Sequence, residues 1–149
     1  MPAGAEMTSR KEVEQCTEDF FRLHWGLGFP PPPWDFSWNW HGAVPNYRLA
    51  GVYALLRGDE LLYIGLGASR GGGIYQDRGL SRRLMSHVFL RDRSNSTGYL
   101  PREKWKALKV DVVGTIGFPQ EANYLAPALE DYLIGRLNPP QNHVKRQAD

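Results

Sequence analysis

Apolar residues recur three and four positions apart at Val13, Cys16, Phe20 and Leu23, and Ser9 with Glu12 stands in capping-box spacing ahead of them. That pattern predicts a helix over about residues 9–24, ended by Gly26 and Gly28. The period then changes. Pro30 to Pro33 impose an extended path, and Trp34, Phe36, Trp38 and Trp40 follow at every second position. Residues 29–42 therefore read as an arm with one aromatic face, expected to staple the N-terminal helix onto the core. Base stacking or a dimer contact are the sharper alternatives.

Residues 51–57 and 60–65 each have the apolar, β-prone composition of a strand, and Gly58-Asp59 marks the turn of a hairpin. Tyr53 and Tyr63 lie directly opposite each other only if Leu56 pairs with Glu60, which predicts a three-residue loop, Arg57-Gly58-Asp59, with a left-handed glycine. A two-residue loop would put the tyrosines on opposite faces unless a bulge corrected it. Residues 65–80 carry six of the sixteen glycines and read as a mobile loop. A helix is predicted from near Ser81, with Leu80, Leu84 and Val88 as its apolar stripe, Arg83 and His87 on a neighbouring stripe, and Arg82 toward solvent. Residues 92–104 read as a polar connection. Leu108, Val110 and Val112 then alternate with Lys109, Asp111 and Val113 as in a half-buried strand. Pro119 to Leu137 reads as helical, with Pro127 in the first turn of a second helix carrying Leu129, Leu133 and Leu137, and Pro139-Pro140 as its stop.

The 149 residues suit one unit with a modest core, 42% hydrophobic and 23% charged. No apolar run approaches the roughly 18 residues of a membrane span, so no membrane role is expected. The opening residues lack the apolar stretch of a secretory signal, and Cys16 is the single cysteine, so a reducing cytoplasm is the expected compartment. A net charge of +2 leaves nucleic-acid binding to local basic patches.

Several motifs fail on inspection. Gly65-x-Gly67 follows a strand, but neither a dinucleotide nor a P-loop fingerprint closes after it. His24, His41, His87 and His143 show no metal-ligand spacing with each other or with Cys16, and Cys16 sits on an apolar stripe without the surroundings of a nucleophile. A hard-cation site on carboxylates stays open. Glu130, three before Leu133 and four before Ile134, borders the apolar seam of its helix, where a carboxylate requires compensation that a divalent cation can supply.

Gly51-Val52-Tyr53, Tyr63-Ile64-Gly65, Arg83-x-x-x-His87, Glu130 and Asn142, in that order, resemble the GIY-YIG nuclease family over roughly residues 49–143. Val52 replaces the isoleucine of the name, a near volume-conserving change. The literal Gly73-Ile74-Tyr75 follows the second motif and is treated as coincidence. The resemblance implies an α+β fold with a small three-stranded antiparallel sheet flanked by helices, residues 1–48 forming a helix and arm ahead of a nuclease domain at 49–149. It implies a DNA endonuclease, of restriction, repair, phage or mobile-element type, using one Mg2+ or Mn2+ on Glu130. Tyr53 is then the base or water-positioning group, Arg83 the phosphate contact, Tyr63 and His87 the completing network, and Asn142 a tie to the C-terminal loop. Arg70, Arg78, Arg82, Lys104 and Lys106 are candidate DNA contacts, and a homodimer is one way to cut both strands. The competing class is a non-catalytic nucleic-acid-binding or protein-interaction module on the same fold.

Overall fold

The computed structural model describes residues 7–67 and 79–142. The first element, α1, spans Arg10–His24. Its capping box is complete: the Ser9 hydroxyl accepts from the Glu12 amide at 3.2 Å and the Glu12 carboxylate accepts from the Ser9 amide at 3.1 Å. The chain continues through β1 (Ala50–Arg57), β2 (Glu60–Gly67), α2 (Gly79–His87), β3 (Phe89–Arg91), β4 (Tyr99–Pro101), α3 (Glu103–Ala107), β5 (Val112–Phe118), a 3-10 turn at Gln120–Ala122 and α4 (Leu125–Leu137). The fold is α+β, with a three-stranded antiparallel sheet ordered β2-β1-β5 and a separate ribbon of β3 and β4. Among the described residues no helix is long and apolar enough to cross a membrane.

Alternation along β1 divides the core in two. Val52, Ala54 and Leu56 join one cluster with Val13 and Phe20 of α1 and Leu129 and Leu133 of α4. Tyr53 and Leu55 join the other with Leu80 and Leu84 of α2, Trp105 of α3 and Phe89. The expected single aromatic face of the arm is therefore corrected. Trp34 and Phe36 pack on the first cluster, with the Trp34 indole donating to Thr17 Oγ1 at 2.8 Å, whereas Trp38 and Trp40 pack on the second. The arm crosses the edge of β5, where Asp35 and Thr115 exchange backbone bonds of 2.8 and 2.9 Å. Trp40 at φ 70° and Gly42 at φ 71° then turn the chain back.

The hairpin register also differs from expectation. Arg57 pairs with Glu60 around a two-residue turn in which Gly58 takes φ 60°, and the pairing shifts by one residue between Leu56↔Leu61 and Leu55↔Tyr63. Leu62 is the extra residue, a β-bulge that restores the parity the short turn would break. Tyr53 consequently faces Gly65, and Tyr63 lies diagonally from it on the same side of the sheet. Residues 92–104 are more than a connection: β4 pairs with β3, and α3 follows. The strand read from Leu108 onward begins only at Val112. Pro127 does stand in the first turn of α4, which ends at Asn138 in the left-handed conformation before Pro139.

Both outer edges of the sheet are covered. The arm lies on β5, and β2 is met by two segments: Leu61 N–H donates to Thr8 O at 2.8 Å, and Gln141 N–H donates to Leu62 O at 3.0 Å.

Candidate active site

Two close approaches set the site. Gly51 pairs with Gly67, and the first turn of α2 seats on this gap in the sheet. A Cβ on Gly67 would lie 2.8 Å from Leu80 Cα, and one on Gly51 would overlap the Ile116 carbonyl. Two residues back along β2, a Cβ on Gly65 would overlap the Tyr53 ring and lie 2.5 Å from its hydroxyl oxygen. Glycine at 65 is thus what lets the Tyr53 ring lie flat across β2 and send its hydroxyl toward α2.

There the Tyr53 hydroxyl meets His87 Nδ1 at 2.8 Å. The Tyr63 ring stands 6.0 Å from that of Tyr53 and 5.5 Å from that of His87. Arg83, one turn before His87, brings a positive charge that acts on both phenols. Helical phase thus brings Arg83 to the tyrosines, while Arg82 beside it is exposed on the outer face of α2. Glu130 enters from α4, is only 7% exposed, and its charge reaches both phenols.

Burial holds the Tyr53 hydroxyl far above the ordinary tyrosine range, Tyr63 adds to that, Arg83 opposes it, and Glu130 adds again. Tyr63 is raised for the same first reason, with Arg83 opposing and Glu130 adding. His87 moves the other way. Burial lowers it, and the positive charges of Arg83, Lys104 and Arg102 lower it further. A phenol kept protonated therefore faces an imidazole kept neutral, and the tautomer sets the direction of the bond: with the imidazole proton on Nε2, the Tyr53 O–H donates to Nδ1.

Asn142 lies outside this cluster. It is 3% exposed, its Oδ1 accepts from Ile64 N–H at 3.0 Å and its Nδ2 donates to Ile64 O at 2.8 Å. It fixes the backbone between Tyr63 and Gly65 and touches neither phenol. Trp105 is the residue that sequence reasoning missed. It is fully buried, its indole N–H donates to His87 O at 3.0 Å, and its ring lies 5.1 Å from Tyr63 and 5.6 Å from His87. Lys104 Nζ sits 4.6 Å over the Trp105 ring, which places its charge beside His87, and Lys106 is exposed on the same helix. Arg70 and Arg78 fall outside the described residues.

Among the described residues no three of His, Cys, Asp and Glu cluster as a metal cage, and Glu130 is the one buried carboxylate. One carboxylate among phenols suits a hard dication that keeps most of its shell as water and substrate oxygens. Tyr53 has no exposed surface at all, whereas Tyr63 is half-buried. No family model matches the chain, and neither does any curated protein or any solved structure.

Proposed function

We propose that the chain is a divalent-metal-dependent endonuclease that hydrolyses phosphodiester bonds in DNA, of the GIY-YIG type its landmark residues resemble. The observation that carries the reading is the 2.8 Å bond between the Tyr53 hydroxyl and His87 Nδ1, with the charges of Arg83 and Glu130 both acting on the two phenols.

Hydrolysis needs a base for water, compensation for charge on the phosphate and help for the leaving oxygen. Tyr53 alone is a poor base because burial keeps it protonated. The neutral His87 Nδ1 is its outlet. As the water oxygen bonds to phosphorus, the water proton passes to Tyr53 Oη while the Tyr53 proton passes to His87 Nδ1, and the bond from phosphorus to the sugar oxygen breaks with its electron pair on that oxygen, which takes a proton from a second water. Arg83 presents its fixed fork of donors to the phosphate. Its move from the phenols onto the phosphate uncovers the sealed Tyr53 oxygen. Tyr63, whose phenol also feels the Arg83 charge, orients that guanidinium. Mg2+ or Mn2+ held by Glu130 supplies Lewis acidity at the scissile phosphate.

The sealed Tyr53 is the observation that favours the alternative, a nucleic-acid-binding module without turnover. Cleavage of supercoiled plasmid by the wild type and by Glu130→Gln, each with Mg2+, Mn2+ or EDTA, separates the two. The nuclease reading expects metal-dependent cutting that falls about 10²-fold or more in the variant, as loss of several kcal/mol of charge stabilisation requires. A wild type that shifts DNA on a gel yet cuts neither plasmid nor single strands with either metal leaves the binding module standing.

A further inference from the structure

A cavity of about 400 Å³ opens on the other flank of α2. Its walls include Tyr47 from the segment before β1, Ser81 and Met85 from α2, and Arg91, Thr97 and Tyr99 from the β3–β4 ribbon. On α2, Ser81 and Met85 lie to one side of the buried Leu80–Leu84 stripe, and Arg83 and His87 lie to the other. Exposed Arg82 and Ser86 form the ridge between them.

The cavity is held by cross-links between segments distant in sequence. Tyr47 O accepts from Ser81 N–H at 2.9 Å, and Gly42 N–H donates to Thr97 O at 2.8 Å. Its volume lies in the usual small-ligand range of about 300–1,000 Å³. The chemistry of the walls is selective. Tyr47 is 38% exposed with the Arg48 guanidinium 5.4 Å from its ring, and the Arg91 guanidinium lies 5.5 Å from the ring of Tyr99. Ser81 and Thr97 contribute hydroxyls, and among the described residues no carboxylate lines the space. One exposed and one half-buried tyrosine ring, each beside a guanidinium, with no carboxylate lining the space among the described residues, suit a flat ring that carries a negative charge next to it.

We propose that this cavity takes one unstacked nucleotide of a DNA strand, its base against Tyr47 and Met85 and its phosphate toward Arg91. The same strand then crosses Arg82 and Ser86 and enters the Arg83 side of α2. An α-helix with its side chains is about 10–12 Å across, a width that a few adjacent nucleotides of one strand span. The proposal rests on the nuclease reading for the identity of the ligand and deepens it by naming the substrate class: DNA with an unpaired or easily extruded base beside the cut. Extrusion costs least where the base is mismatched or already single-stranded.

The test uses the full chain in EDTA, so that binding is read without turnover. The probes are a single-stranded oligonucleotide carrying 2-aminopurine at one position, the same strand abasic at that position, and the fully paired duplex. The expected result is a change in 2-aminopurine emission on binding, and affinity for the intact strand above that for the abasic strand by about fivefold or more. Tyr47→Ala removes that preference, Tyr47→Phe restores it, and Arg91→Gln weakens both strands. Both side chains are exposed, and melting curves are recorded to check that the variants fold. The proposal is overturned if Tyr47→Ala binds the intact and abasic strands as the wild type does, or if the wild type binds neither. Cleavage with Mg2+ is then assayed separately. Base-dependent binding without cutting would sink the nuclease reading and leave the cavity assigned. Cutting by the wild type with no dependence on the base or on Tyr47 would do the reverse.

Discussion

Asn142→Ala tests whether Asn142 is a strut or part of the chemistry. The substitution deletes the acceptor for Ile64 N–H and the donor to Ile64 O, both in a position only 3% exposed. A buried backbone group left without its partner costs about 1–3 kcal/mol, so the pair amounts to about 2–6 kcal/mol. Water entering the space left at the margin brings the expected loss to about 2–4 kcal/mol. That is a large share of the roughly 5–15 kcal/mol that holds a domain together. In a chain of this size it corresponds to roughly 4–16 °C in Tm. Asn142→Asp adds a direction. It keeps an acceptor for the Ile64 amide but sets a carboxylate against the Ile64 carbonyl, which raises the carboxyl's folded-state pKa above its unfolded value. Its stability is therefore present at low pH, where the protonated group donates as the amide did, and is lost as pH rises through the folded-state value. Urea and thermal unfolding read both variants. An Asn142→Ala protein that melts with the wild type while its cleavage falls 100-fold or more would refute the reasoning and move Asn142 into the catalytic set.

Gly65→Ala forces the Tyr53 ring off its seat, and about 1–3 kcal/mol of destabilisation with loss of the Tyr53–His87 bond is expected, read by urea unfolding and by cleavage of the folded variant. The acid limb of the cleavage pH profile should fall below the ordinary histidine value of about 6.5, because burial and three cations hold His87 neutral. The same depression makes the stability due to His87 present above about pH 6.5 and lost as pH falls through its folded-state value, a dependence that His87→Gln should remove from unfolding curves. Trp105→Phe keeps a ring against Tyr63 and His87 but deletes the donor to His87 O. It should cost about 1 kcal/mol and lower kcat more than it changes KM, and an unchanged kcat would argue that Trp105 only fills space.

What the sequence made legible followed from strong local signals. Ser9 and Glu12 marked the start of α1, and the Leu80–Leu84–Val88 stripe fixed the phase of α2 closely enough to choose Arg83 over Arg82. Spacing from Leu133 placed Glu130 at a buried border. The register of the hairpin was not legible, because a bulge at Leu62 leaves no compositional mark and changes the facing of every residue beyond it. Strands β3 and β4 are three residues each, too short for a period to declare itself. Trp105 was hidden by its own character, since one apolar residue in a mixed run fits a strand as well as the short helix that carries it. The arm's every-second-position aromatics did signal burial, but not that the chain passes from one core to the other midway.

Covering both edges of the sheet has a kinetic consequence. The β1–β2 turn closes over two residues, whereas the bond from Ile64 to Asn142 closes over a sequence separation of 78, and the Asp35–Thr115 pair spans about half the chain. Long-range closures slow folding, because their loop entropy must be met before the contacts they make repay it. A nascent chain carries Thr8 and the arm before its hairpin, but β1 waits for β5 and β2 for Gln141 and Asn142, and each bare edge is a template for another chain until they arrive. Dilution and low temperature during refolding should matter more for this protein than its modest size suggests.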